Sequence, residues 1–329
     1  MKLAWKALGV LFGVVLCCTL VLSDVNAQQP LTLRVSVVSP VGGTEYRAVE
    51  VFASDLKKRV GEDRVKITLY ATGQLGTYNE ILTQIQSGAN LVEALFDSLG
   101  DIGPWNKLAG LETVPYMYRD SAHFVRVWSG PIGEEIANTV AGQSGFRLVG
   151  PGFRGFREMS VNKPVRKAED LAGLKLRVPA IPAYIDAWKA LGANPTPIPF
   201  EETFTAIQQK IVDGQENPLN VIVDSSFYTI CKYLIMTNHM AETMGFLFND
   251  KWYQALDPAM RNAIKAAAAT SADWLRAESA KNADGQIQKV KAAGMEVINP
   301  DLSGFLERAK AAKLDPALEP WAVKIRQVQ

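Results

Sequence analysis

Apolar residues first recur with period two over 31–38. Leu31, Leu33, Val35 and Val37 share one face, the pattern of a half-buried strand. From 45 to 60 the period changes: Ala48, Val51, Phe52 and Leu56 recur at three and four, the apolar side of a helix. A strand over 65–70, a helix over 78–87 and a strand over 91–96 follow. Strands alternating with helices in this way predict an α/β fold with a mainly parallel sheet. A helix over 131–143 and a strand over 146–149 close a first unit.

A second unit repeats the alternation. It has a strand over 157–161, a strand ending at Arg177, and helices over 183–191, 201–212 and 222–233. Pro179 cannot donate to a ladder, so the strand stops beside it. A strand over 234–236 precedes an apolar run, 246–248, that reads as a return to the first unit. The pattern from 258 to about 283 predicts one long helix, with Met260, Ile264 and Trp274 inward. Another helix ends at Gly294. A strand over 295–298 and a helix over 302–312 complete the chain.

The first residues break this pattern. Lys2 and Lys6 precede an apolar run over 7–22, and Val25-Asn26-Ala27 sets small residues at a cleavage site. This reads as a secretory signal peptide over 1–27, cleaved after Ala27, and predicts an exported, periplasmic protein. Cys17 and Cys18 leave with it, so Cys231 has no partner for an internal disulfide. The formal net charge is +1 in 329 residues, which gives no footprint for nucleic acid.

Candidate chemistry collects where regular structure stops. Arg177 stands at a strand end, where open α/β sheets present ligand-binding groups. Its planar fork of donors matches a carboxylate. Asn217, held extended by Pro218, offers an amide donor. Arg157 is a further carboxylate candidate, with Arg154 its competitor. The loops after the first strands contribute Ser39, Gln74, Ser98 and Trp105, although Trp105 could equally pack beneath its loop. Catalysis finds little support. There are two histidines, His123 and His239, and no nucleophile elbow or phosphate loop follows a strand. No cofactor and no metal are expected.

The stretch from Gly155-Phe156-Arg157 through Leu174-Lys175-Leu176-Arg177-Val178-Pro179 to Val212-Asp213-Gly214-Gln215-Glu216-Asn217-Pro218 resembles the solute-binding proteins of TRAP transporters, a family linked to C4-dicarboxylate binding. Ala190-Leu191-Gly192-Ala193-Asn194-Pro195-Thr196-Pro197 and Thr237-Asn238-His239 extend the resemblance, and weaker matches run from about Leu31 to about Pro300. It implies a two-lobed, Venus-flytrap fold with a long helix bracing both lobes. Residues 28–154 and 240–284 would form lobe one, and 155–239 and 285–329 lobe two. It implies no enzyme but a monomeric receptor that closes on an organic acid and delivers it to a TRAP membrane permease. Arg177 would anchor the carboxylate with Arg157 and Asn217. The family often has a histidine near 39–44, absent here, and dicarboxylate, sugar acid and aromatic acid stay open as ligands. Two other readings are a secreted hydrolase and a receptor that feeds a sensor.

Overall fold

The computed structural model describes residues 29–329, so the expected signal peptide lies outside the described residues. Ten strands form the frame: β1 Leu31–Val37, β2 Val65–Tyr70, β3 Ala94–Ser98, β4 Phe146–Val161, β5 Lys175–Val178, β6 Asn194–Pro197, β7 Gly214–Pro218, β8 Tyr233–Ile235, β9 Ala241–Asn249 and β10 Glu296–Ile298. In the first lobe the order is β2-β1-β3-β9-β4, with β1 parallel to both neighbours and β9 antiparallel to both of its own. In the second lobe β6, β5 and β7 run parallel to one another, and β4 lies antiparallel between β7 and β8. The fold is a two-lobed α/β flytrap, and β4 belongs to both lobes.

Two separate strands were expected where this one strand of 16 residues runs. Gly150, Pro151 and Gly152 lie between the two expected strands. They form an irregularity in the pairing with β9, whose register shifts between Val149 and Gly152 and again between Phe153 and Phe156. The helix Pro258–Ala292 also joins two expected helices into one of 35 residues. It lies against this irregularity. A Cβ on Gly150, whose φ is +67°, would stand 2.5 Å from the Ala268 Cβ. Glycine is therefore required for both backbone conformation and close approach.

The long helix braces both lobes. Met260, Ile264, Ala267, Ala268 and Leu275 enter a first-lobe core with Phe52, Phe96 and Phe246, whereas Val290 enters a second-lobe core with Ile222 and Phe227. The other face of the first-lobe sheet carries Phe124, Ile136, Phe146 and Leu247. Leu318, Ala322 and Ile325 pack there too. The C-terminal helix Glu319–Gln327 thus returns to the first lobe, whereas all of 285–329 was expected in the second.

Two further differences have local causes. β6 is Asn-Pro-Thr-Pro, a strand that prolines can enter because it lies at the sheet edge. The expected helix over 222–233 is only Leu219–Asp224, after which Ser226 turns left-handed at φ +59°.

Candidate functional site

Alternation along the second-lobe strands sorts the candidates. Leu176 and Val178 point into the core beneath the helix Pro182–Leu191. Arg177 between them must face the other side of the sheet, toward the helix Phe200–Gln208. Arg177 pairs with Gln215 in the parallel ladder, and Gln215 and Asn217 share that face. In the β4–β7 ladder Arg157 stands opposite Pro218 and Glu158 opposite Asn217. Arg157 and Asn217 therefore lie on opposite faces.

Arg177 is 2% exposed. Its Nε donates to the Ile198 carbonyl at 2.8 Å, and its guanidinium carbon lies 5.7 Å from the Phe200 ring centre. Burial brings its pKa down to about 10. Among the described residues no carboxylate forms an ion pair with it. A buried, unpaired cation is costly, so this guanidinium is prepared for an anion that the protein itself does not supply. Asn217 is oriented by a relay: its Nδ2 donates to Gln215 Oε1 at 2.6 Å, and Gln215 Nε2 donates to Ser160 Oγ at 2.6 Å.

Asn217 and Phe200 line a narrow cleft of about 20 Å³ between the lobes. Val221, Asp224 and Ser225 continue the second-lobe wall. Val38, Ser39, Glu45, Tyr78 and Arg154 form the first-lobe wall. Arg177 is not itself in this wall, but its guanidinium lies over the ring of Phe200, which is. The walls meet directly: Asp224 Oδ2 accepts from the Thr44 backbone N–H at 2.8 Å, so the lobes are closed.

The other arginines are already neutralised. Arg157, expected on the ligand, gives Nε and Nη2 to Glu216 and Nη1 to Glu242. It is a structural cation at the lobe crossing, because its face of the sheet carries Glu216. Burial alone would raise the Glu216 pKa, but Arg157 and His239 outweigh this and hold it at about 2. Arg154 binds Glu45 and, at 2.6 Å, Glu242. His239 Nε2 donates to Glu216 Oε2 at 2.9 Å, and its Nδ1 accepts from Thr237 Oγ1 at 2.7 Å. Burial lowers the His239 pKa. This hydroxyl–imidazole–carboxylate sequence resembles a catalytic triad, yet all three groups are fully buried and none lines the cleft. His123 contacts the Ile325 carbonyl and joins the C-terminal helix to the first lobe.

Three loop candidates do not reach the cavity. Ser98 is 2% exposed and caps a short 3-10 helix by accepting from the Gly100 N–H at 3.0 Å. Trp105 packs edge-on against Phe146, with ring centres 5.5 Å apart, and lines a separate cleft beside Trp321. Gln74 is exposed on its loop. Sequence reasoning missed Glu45, Tyr78, Asp224 and Ser225. They carry no shared period, and only lobe closure brings them together.

An α/β flytrap with an unpaired buried cation beside an interlobe cavity defines an anion-binding receptor. The family model for bacterial extracellular solute-binding proteins, family 7, matches residues 35–313. The chain belongs to that family, the solute-binding subunits of TRAP transporters. The sialic acid-binding periplasmic protein SiaP of Vibrio cholerae is 30% identical over 286 residues, covering 87% of each chain. A TRAP periplasmic solute-binding protein from Roseobacter denitrificans, solved with bound L-galactonate, superposes with a TM-score of 0.84 at 27% identity. It covers 90% of this chain and 99% of that one. One from Polaromonas, bound to D-erythronate, gives 0.85 at 26%, covering 91% and 99%.

Proposed function

We propose that this protein captures a sugar acid between its lobes and delivers it to an ion-gradient-driven TRAP permease. The observation that carries the reading is Arg177, fully buried and without a protein carboxylate. The ligand carboxylate pairs with it, and Asn217 donates to the same group. Ser39 contributes from the first lobe, beside Tyr78 and Ser225. Galactonate and erythronate in the similar structures favour a hydroxylated acid over an aromatic one.

Lobe one comprises 28–154 and 240–284 together with the C-terminal helix, and lobe two comprises 155–239 and the remainder. Ligand binds the closed form better and shifts the population toward it. The mature protein begins after Ala27 and works as a periplasmic monomer that performs no catalysis. Mass spectrometry of the secreted chain checks the cleavage.

The functional test is a thermal-shift screen followed by isothermal titration. Galactonate, erythronate and glucuronate are compared with succinate and phenylacetate. A ligand that binds only the native state raises the melting temperature. Stabilisation by a sugar acid supports the reading. A response confined to succinate or phenylacetate overturns it.

A further inference from the structure

Charge is distributed unevenly around the cleft. Of the nearby arginines, Arg154 is held by Glu45 and Glu242, and Arg157 by Glu216 and Glu242. Arg177 alone among these three has no carboxylate partner. The cavity wall holds two carboxylates of its own, Glu45 and Asp224. Glu45 is occupied by Arg154. Asp224 is fixed differently. It accepts from the Thr44 N–H, one of the donors that a helix leaves unpaired at its first turn. The N-cap of the helix Thr44–Val60 is Gly43, which has no side chain to do this, so the opposite lobe supplies the cap. Asp224 Oδ1 has no hydrogen-bond partner among the described residues.

Asp224 is separated from Asn217 by the helix Leu219–Asp224, six residues and so about 9 Å long. A ligand whose carboxylate meets Arg177 and Asn217 extends toward this group.

We propose that Asp224 is a specificity-determining residue: it reads a ligand hydroxyl through Oδ1 and rejects a second carboxylate. The proposal rests on the sugar-acid reading above and narrows it to monoanions. A hydroxyl donates to Oδ1. A carboxylate at the same place has no proton to donate, faces a fixed negative charge and finds no unpaired cation. Such a juxtaposition discriminates by repulsion rather than by added attraction.

Matched pairs test this: galactonate against galactarate, and gluconate against glucarate, each differing only in a terminal carboxylate. Titrations use the full mature chain and its Asp224→Asn variant. The wild type is expected to prefer the monoacid of the pair it binds by at least about tenfold. Asp224→Asn keeps the shape and an acceptor for Thr44, and is expected to shrink that preference at least about fivefold by admitting the diacid. Equal or tighter wild-type binding of the diacid overturns the proposal while leaving sugar-acid capture intact. So does a variant that weakens both members equally, since Asp224 would then serve lobe closure alone. Binding of none of the four acids, with succinate or phenylacetate bound instead, overturns both readings.

Discussion

Replacing Arg177 by methionine separates a binding role from a structural one. The substitution removes one hydrogen bond to Ile198 and a charge that no described carboxylate neutralises. It keeps an apolar stem in a site that is 2% exposed and roofed by Phe200. The unliganded fold therefore loses little and is relieved of a buried charge. Binding loses one partner of a desolvated ion pair, which costs about 2–5 kcal/mol. At about 1.4 kcal/mol per tenfold, affinity falls by about 30- to 4,000-fold. Isothermal titration with the best sugar acid measures this loss, and melting of the unliganded variant measures the fold. Near-wild-type affinity refutes the anchor assignment. An unliganded melting temperature lowered by more than about 5 °C shows that the guanidinium supports the fold instead.

Arg157→Met should do the reverse. It leaves buried Glu216 with His239 alone and Glu242 with Arg154 alone, so unfolding free energy drops by about 3–5 kcal/mol in denaturant titrations. Stability should also fall as pH rises. Burial lifts Glu158 from 4.5 to about 8, so between those values the native state holds a proton that the unfolded chain has released. Glu158→Gln should flatten this decline in melting curves across pH 4.5–8, and an unchanged slope would assign it to other groups. Gly150→Ala should destabilise by roughly 3 kcal/mol or more, because it combines a positive φ with a clash against Ala268, and chemical denaturation reads this directly. Trp105→Ala should lower stability by about 2–3 kcal/mol yet leave ligand affinity unchanged, which titration checks.

The strands and helices that follow a clean period were legible in the sequence, and so was the position of Arg177 and Asn217 beside prolines that end regular structure. The pairing of Arg157 with Glu216 and Glu242 was not legible, because Gly155-Phe156-Arg157 does not disclose which side of β4 the side chain takes. That side follows from a register set jointly with β7 and β9. The continuity of β4 through Gly150-Pro151-Gly152 was not legible because such residues more often interrupt a strand, and here they serve an irregularity packed beneath the long helix. Asp224 and Glu45 line one cleft from opposite walls although 179 positions part them in the chain. No local pattern encodes such a meeting, which arises from the docking of two lobes.

The placement of the C-terminal helix bears on the order in which the molecule can become native. His123 and Ile325 touch although they are 202 residues apart, and Ile325 fills the same core as Phe124 and Ile136. A chain emerging from the ribosome or a membrane channel must therefore finish the second lobe's sequence before the first lobe can seal. Until then Phe124, Ile136 and their neighbours lack a covering, and the long loop that must close slows their burial. Late sealing makes completion of the first lobe depend on the last residues of the chain.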